Sequence, residues 1–164
     1  MTKAVQPIPP GFHTITPHLV IKGAAKAIDF YKKAFGAEEL SRMPTPDGRL
    51  MHAGLKIGDS VLFLCDEFPE HCADSASPET IGKSHATMHL YVDNVDAAFK
   101  RAIDAGAKEQ MPVQDMFWGD RYGRLVDPFG QTWSIATHKE DLTPEEMKKR
   151  METGCEPAKA AAKV

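Results

Sequence analysis

The sequence predicts an α+β fold made of two tandem βαβββ modules, and a long internal repeat is the main reason. A strand headed by a histidine, a helix and a glycine occur twice, with His18 and His89 71 residues apart and Gly36 and Gly106 70 residues apart. After each helix, the alternation of apolar and polar residues that is typical of strands returns three times. A repeat of this length indicates paired modules and excludes a short-period solenoid.

The first module takes residues 14–66 and follows a proline-rich extended arm over residues 1–13. It opens with a strand over 15–21, and a helix then runs to Phe35, with Gly36 placed to cap its C-terminus. Three further strands are expected at 38–43, 49–57 and 60–65, joined by turns that are rich in Pro, Asp and Gly.

The second module, residues 85–138, follows a linker over 67–84 that is rich in Pro, Ser, Glu and Gly. Its expected elements are a strand over 86–92, a helix over 95–105 capped by Gly106, and strands near 108–114, 121–127 and 131–137.

The last segment, residues 139–164, carries the sequence Thr-Pro-Glu-Glu from Thr143. This is a capping box with proline at the first helical position, and it predicts a helix to about Met151. We expect the Ala- and Lys-rich tail after Gly154 to be frayed.

Composition excludes several classes of function. The chain has 164 residues, 42% of them hydrophobic, and a net charge of −3, with a sequence pI near 6.2. This charge provides no basic field for nucleic acid, and no apolar run reaches the roughly 20 residues that a membrane span requires. Neither nucleic acid nor a membrane is therefore expected as a partner.

The cysteines indicate the compartment. Cys65, Cys72 and Cys155 are odd in number and lack the spacing of a metal site, so we expect free thiols rather than a disulfide framework. The first residues also lack the apolar core of a signal peptide. Both observations favour the cytoplasm.

Several motifs together resemble the vicinal oxygen chelate superfamily, which contains glyoxalase I, the bleomycin-resistance proteins and the extradiol dioxygenases. The Phe-Tyr of the first helix and the Asp-Pro-Phe-Gly that starts at Asp127 carry this resemblance, which spans about residues 14–138. A closer resemblance to the PhnB-like branch comes from FYKKAFGA at 30–37, DGRLMHA at 47–53, GDSV at 58–61 and WSIATH at 133–138.

The resemblance implies a curved mixed sheet in each module, an enclosed cavity, and pairing of the protein as a homodimer. Metal-dependent members place one ligand on the first strand and one on the fourth strand of each module. Counted from the helix motifs, these positions fall on Thr16, Phe63, Thr87 and Ser134. Phenylalanine cannot bind a metal and neutral hydroxyls bind weakly, whereas catalytic zinc normally has three N, S or carboxylate ligands. We therefore expect no metal and no other cofactor.

His18 and His89 lie two residues beyond the two threonines, on the same strand faces but roughly 7 Å away. A metal could be held only at a relocated site made of His18, His89 and His52. His52 faces the cavity in this interpretation because Met51, Ala53, Leu55 and Ile57 occupy the opposite, helix-covered side of its strand.

Strand faces assign Phe63, Tyr91 and Ser134 to the cavity walls. Trp118, Tyr122 and Arg124 cluster with Arg121 near the seventh strand, a combination that suits an anionic or aromatic ligand. The turn at Asp127 is interpreted as a turn alone. The candidate ligand-binding residues are His18, His52, Phe63, His89, Tyr91, Trp118, Tyr122, Arg124 and Ser134.

Three functions follow from this interpretation. The first is binding of a small aromatic or amphipathic ligand without the metal of the superfamily. The second is a lyase, isomerase or dioxygenase with a relocated metal at His18 and His89. The third is a homodimeric protein whose pocket is vestigial. No catalytic residue can be assigned from the sequence.

Overall fold

The computed structural model describes residues 6–154, which form two four-stranded sheets with helices. The strands are β1 (His18–Val20), β2 (Glu38–Pro44), β3 (Leu50–Ile57), β4 (Ser60–Cys65), β5 (Thr87–Tyr91), β6 (Lys108–Asp115), β7 (Asp120–Val126) and β8 (Thr132–His138). The helices are α1 (Ala24–Phe35), α2 (Pro78–Ile81), α3 (Val95–Asp104) and α4 (Pro144–Gly154).

The two sheets have the same topology. Sheet A has the strand order β1-β4-β3-β2, and sheet B has the order β5-β8-β7-β6. In each sheet the first pair of strands is parallel and the other two pairs are antiparallel. The predicted α+β fold of two tandem βαβββ modules is confirmed.

Helices α1 and α3 pack against each other and cover one face of each sheet. Successive strand residues point to opposite faces, so one apolar set per strand is buried beneath the helices. Leu62 and Leu64 of β4 and Trp133 and Ile135 of β8 are the corresponding buried residues in the two modules. A single hydrophobic cluster therefore runs through both modules.

Two buried aspartates attach loops and helices to this core. Asp66, directly after β4, accepts hydrogen bonds from the backbone N–H groups of Gly23 and Ala24 at the start of α1 and from that of Leu50. These bonds satisfy helix N–H groups that have no partner within the helix itself. Asp66 thus caps α1 from the end of a strand.

Asp127 joins the two modules. One of its oxygens accepts hydrogen bonds from the Tyr31 hydroxyl of α1 at 2.8 Å and the Trp133 indole at 3.0 Å, and the other accepts from the backbone of Phe129 and Gln131. The residue is 4% exposed. The turn predicted here therefore has a second role, as a buried polar contact between a helix of one module and a turn of the other.

A few boundaries differ from the sequence prediction. β1 begins only at His18, and the linker contains the short helix α2, which Ser77 caps. Gly106 has a positive φ but lies one residue beyond the cap of α3, which is Ala105. The Met51 side chain is largely exposed and Leu50 is buried in its place, because the pairing of β2 with β3 shifts near Pro44.

The predicted capping box at the start of α4 is present. The Thr143 backbone N–H donates to the Glu146 carboxylate, and the Glu146 N–H donates to the Thr143 hydroxyl. Helix α4 continues to Gly154, past the predicted end at Met151. Cys155 and the tail predicted to be frayed lie outside the described residues.

None of the helices within residues 6–154 has the length and apolar character that crossing a membrane requires.

Candidate functional site

The face of each sheet that lies opposite the helices, here called its open face, carries the candidate residues. Alternation along the strands places His18, His52 and Phe63 on the open face of sheet A and Tyr91, Tyr122 and Arg124 on that of sheet B. The sequence predicts the nine candidates on the cavity faces of both modules. The structure distributes them over two sheets.

The open face of sheet B carries a cluster of aromatic rings. His89 lies 4.6 Å from Tyr91 between ring centroids, and its ring is nearly parallel to that of Tyr122 at 6.0 Å. Trp118, in the turn between β6 and β7, meets the Tyr122 ring edge-on at 5.5 Å. Tyr91 remains 64% exposed. These rings form a surface on which a planar molecule can stack.

Asp120 holds this cluster in place. Its carboxylate accepts hydrogen bonds from the Tyr91 hydroxyl and the Trp118 indole, both at 3.0 Å, and pairs with His138 at 2.7 Å. Burial works against ionisation of Asp120, but these three hydrogen bonds outweigh it and keep the pKa of Asp120 below its ordinary value. The sequence prediction did not include Asp120, which becomes visible only when its three partners are brought together in space.

His138 lies between two carboxylates at the edge of the cluster. It contacts Asp141 at 2.9 Å in addition to Asp120, and the hydrogen bonds to Asp141 and Asp120 raise the pKa of His138. A protonated His138 therefore compensates the buried charge of Asp120.

A row of paired residues crosses the centre of sheet B. His89 is paired with Ser134, and Ser134 in turn with Arg124. The His89 Nδ1 lies 2.7 Å from the Ser134 hydroxyl oxygen, and Ser134 is 2% exposed. Burial lowers the pKa of His89, although the Asp120 charge opposes this. His89 is thus a neutral imidazole at pH 7.

The corresponding cluster on sheet A is more apolar. The Phe63 ring lies 4.6 Å from His52 and 6.1 Å from His18, and Phe12 of the arm packs over Phe63 at 5.7 Å. His18 and His52 are 5.9 Å apart between ring centroids. Burial, and to a lesser degree the nearby His52, lowers the pKa of His18. Phe63 fills the position where a carboxylate would otherwise face these imidazoles.

The strand register corrects one step of the sequence analysis. Counting from the helices placed Thr16 and Thr87 beside Phe63 and Ser134, but the residues paired with these two are His18 and His89. Direct pairing on adjacent strands of one sheet is what brings a first-strand and a fourth-strand side chain close enough to share one metal. Each module therefore has a histidine on its first strand at a position suited to a metal ligand. The residue paired with this histidine on the fourth strand is Phe63 in the first module and Ser134 in the second.

These residues do not fit the metal site of the superfamily. His89 lies on sheet B, whereas His18 and His52 lie on sheet A, and each histidine has an apolar or hydroxyl neighbour instead of a carboxylate. Between residues 6 and 154, no group of three or more His, Cys, Asp or Glu side chains is arranged to hold a metal ion. Structural and catalytic zinc sites normally have at least three such ligands.

Arg121 does not belong to the candidate site. It lies on the helix-covered side of β7, where its guanidinium forms two 2.8 Å hydrogen bonds to Asp96 of α3 and a further ion pair with Asp115. Its role is to attach α3 to sheet B.

A cavity of about 820 Å³ lies between the modules along β5. Its wall includes every residue from Thr87 to Val92, the segment 57–62 around the β3–β4 turn, and His13, Ile15, Thr16 and Pro17 before β1. His89 and Tyr91 are the candidate residues that line it. β5 is an edge strand, so the cavity follows a row of backbone groups without a partner strand.

Fold and site together define a protein of two paired βαβββ modules, with an aromatic cluster on one open face. A family model described as "Glyoxalase/Bleomycin resistance protein/Dioxygenase superfamily" matches residues 11–135. The chain belongs to this superfamily, as the sequence motifs suggested.

The chain is also similar to curated proteins and to solved structures. The chain is 45% identical over 138 residues to the uncharacterized protein Rv0887c of Mycobacterium tuberculosis, covering 84% of this chain and 81% of that protein. Among solved structures, a Bacillus cereus PhnB protein described as a putative 3-demethylubiquinone-9 3-methyltransferase aligns with a TM-score of 0.60 and 19% identity, over 76% of this chain and 99% of its own. The antibiotic binding protein TnmS3 from Streptomyces sp. CB03234 aligns with a TM-score of 0.58 and 23% identity, over 77% and 96%.

Proposed function

We propose that this protein binds a small aromatic or amphipathic ligand, without the metal site of its superfamily. The observation that carries the proposal is the aromatic cluster of His89, Tyr91, Trp118 and Tyr122 on the open face of sheet B. Aromatic surfaces with a few fixed polar groups are typical of small-molecule sites. Because Asp120 fixes Tyr91 and Trp118 before any ligand arrives, little side-chain entropy is lost on binding.

The chemistry of the two clusters supports binding over metal catalysis. Phe63 on sheet A and Ser134 on sheet B offer no anionic ligand beside the histidines. A neutral His89 that is already hydrogen-bonded to Ser134 can donate to or accept from a polar ligand atom. The description of TnmS3 as an antibiotic binding protein is consistent with the same class of function on this fold.

We also propose that the protein is a homodimer in which the groove beside β5 is covered by the second copy. β5 is an edge strand, and an edge that runs along a groove with apolar side chains favours pairing with another chain. Ile15, which lies in the groove beside β5, is 82% exposed in the single chain. A partner at this position would bury apolar side chains that otherwise face water.

Cys65 and Cys72 both carry free thiols. This supports the cytoplasm, a reducing compartment, as the place where the protein works. Recovery of the protein in the soluble cytosolic fraction of cells is expected, and its export would contradict this.

The binding proposal can be tested with N-phenyl-1-naphthylamine, an uncharged planar probe whose fluorescence increases in apolar surroundings. We expect saturable binding at one site per chain. Tyr122→Ala should weaken this binding at least about fivefold, because stacking area is lost. Phe68→Ala is the matched control: Phe68 is also an aromatic residue at a surface cavity, but it packs under Arg49 away from the open faces. Absence of saturable binding, or equal loss in both variants, would contradict the proposal.

The same preparation, purified without a chelator or a histidine tag, distinguishes the metal-dependent alternative. Elemental analysis should find far less than one zinc, nickel, manganese or iron per chain. One tightly bound metal per chain that is lost in His18→Ala would instead support a lyase, isomerase or dioxygenase with a relocated metal.

A further inference from the structure

Among the described residues, Arg101 and Arg124 are the two arginines without a carboxylate partner, and of these Arg101 is exposed whereas Arg124 is partly shielded from water. Arg124 lies in the middle of β7 on the open face of sheet B and is only partly exposed. Four arginines form ion pairs with carboxylates: Arg42, Arg49, Arg121 and Arg150. Within residues 6–154, no carboxylate lies within ion-pair distance of Arg124, and its Nε is buried without a hydrogen-bond partner. A shielded cation without a counter-charge is costly, and an anion bound there would remove that cost.

The side chains around Arg124 leave its charge uncompensated. Across the sheet, its neighbours are Ser134 on one side and Met111 on the other, and His89 follows Ser134. None of these is an anion. Asp120 lies on the same strand four residues away, roughly 13 Å along β7. Its oxygens already accept bonds from Tyr91, Trp118 and His138.

The aromatic cluster begins next to this charge. Tyr122 follows Arg124 on the same face at a distance of roughly 7 Å along the strand. A molecule that places an acidic group on Arg124 can therefore lay a directly attached planar ring against Tyr122 and His89. A guanidinium binds carboxylates and related oxyanions through two parallel hydrogen bonds, which fixes the orientation of such a molecule.

We propose that the ligand of this site is an aromatic organic anion, with its carboxylate or sulfonate group on Arg124 and its ring against Tyr122 and His89. This inference rests on the proposed aromatic-binding function and names the chemical class of the ligand. The negative end of the ligand lies near the centre of sheet B, and its apolar end points towards Trp118. Cationic aromatic compounds are disfavoured, because Arg124 repels them.

A matched pair of probes tests the charge requirement. The sulfonate 8-anilinonaphthalene-1-sulfonate has the ring system of N-phenyl-1-naphthylamine plus one anionic group. We expect the wild-type protein to bind the sulfonate at least about tenfold more tightly than the neutral amine, as a charge-assisted hydrogen bond would give. Arg124→Gln should remove this preference and leave the affinity for the neutral amine within about twofold.

Arg101→Gln is the control variant, since Arg101 is an exposed arginine that lines the cavity between the modules. It should leave both affinities unchanged. Arg124→Lys keeps the charge but not the two-pronged geometry, so its preference should fall between those of the wild type and Arg124→Gln. Cooperative thermal unfolding of each variant verifies folding, and if Arg124→Gln fails to fold, Arg124→Lys decides the test on its own.

The outcomes separate this inference from the function on which it rests. Binding of both probes with equal affinity, or a loss of preference in Arg101→Gln instead of Arg124→Gln, would overturn the anion assignment and leave aromatic binding standing. Failure of both probes to bind the wild-type protein would overturn both.

Discussion

At the scale of single residues, three histidines on or beside the open faces are in different electrostatic settings. His18 and His89 are surrounded by rings and hydroxyls, and burial lowers the pKa of both below the ordinary value of 6.5. His138 lies between Asp120 and Asp141, and its pKa is raised. The same side chain is thus neutral at pH 7 at two positions and tends towards the charged form at the third.

We expect these differences in pKa to appear in an NMR titration of the histidine ring protons. His138 should titrate above 6.5, and His18 and His89 below it. Asp141→Asn should lower the pKa of His138, because the hydrogen bond to Asp141 is the largest cause of its increase. The control is His18 on sheet A, whose pKa should not respond to Asp141→Asn. A His138 value below 6.5 would mean that the contacts with the two carboxylates do not form in solution.

These shifts also determine the contribution of each histidine to stability. A folded-state pKa below 6.5 means that the unfolded chain binds the proton more tightly. The contribution of His18 and His89 is therefore present above pH 6.5 and is lost as the pH falls towards their folded-state pKa values. For His138 the sign is opposite: its contribution is present below pH 6.5 and is lost as the pH rises through its raised pKa.

Sequence reasoning at this scale identified side chains by strand face, and the structure shows its limit. Alternation placed Tyr91 on the face opposite the helices, and the strand register agrees. Tyr122 and Arg124 were expected only as part of a cluster near the cavity, and the register places them on the same face as Tyr91. Alternation could not identify Asp120, Asp66 or Asp127, because each acts through partners that are distant in the chain or on another element. An aspartate at the edge of a strand has the same local pattern whether it faces water or accepts three hydrogen bonds.

At the scale of elements, the attachment of α1 to sheet A depends on a side chain outside the helix. Gly23 precedes α1 and has no side chain to cap it, so Asp66 supplies the acceptor from the end of β4. The other carboxylate oxygen of Asp66 accepts from Leu50 at the start of β3. One side chain therefore fixes a helix and two strands.

Asp66→Ala should lower the free energy of unfolding by about 3 kcal/mol, because it leaves up to three buried backbone N–H groups without acceptors. Urea unfolding followed by circular dichroism measures this change. Asp59→Ala, at the exposed turn between β3 and β4, is the control and should change stability by less than about 0.5 kcal/mol. A similar small effect for both variants would show that water replaces Asp66 as the acceptor.

Prediction of the elements themselves was close because their signals are local. The apolar stripe of α1, the glycine after it and the capping box of α4 depend on neighbours within a few residues. Two of the errors, the start of β1 and the shift near Pro44, have a cause that lies outside the local sequence. β1 is held to three residues by its parallel pairing with β4, and the shift near Pro44 depends on the pairing of β2 with β3. Neither pairing is encoded in a local pattern.

At the scale of the whole molecule, exposed apolar side chains lie beside edge strands of the two sheets. Ile15 lies beside β5, and Met43 and Leu40 of β2 are about half exposed. Exposed apolar side chains next to unpaired strand edges favour association.

Light scattering after gel filtration should give twice the 18.1 kDa chain mass. Ile15→Glu should shift the protein towards the monomer, because it places a charge in the groove beside β5. The control is Met51→Glu, which changes an exposed apolar residue at another cavity and should leave the mass unchanged. A monomer at micromolar concentration for the wild-type chain would contradict the proposed dimer.

The repeat predicted the architecture, but it did not reveal how the copies differ. The histidines that open the copies, His18 and His89, are paired with a phenylalanine in one sheet and a serine in the other. The result is one mainly apolar face and one with a fixed charge and hydroxyls. The sequence shows that equivalent positions differ, but only the strand register shows which side chains face each other there.

The hydrogen bond between Tyr31 and Asp127 requires a different residue from each of the two modules. The tyrosine comes from the first copy and the carboxylate from the second, so the two halves are not interchangeable building blocks. A chain assembled from two first modules would contain the hydroxyl without its acceptor, and one assembled from two second modules would bury the carboxylate without this donor. The fold therefore needs one module of each kind, and an isolated half would expose a face that packs against its unlike neighbour.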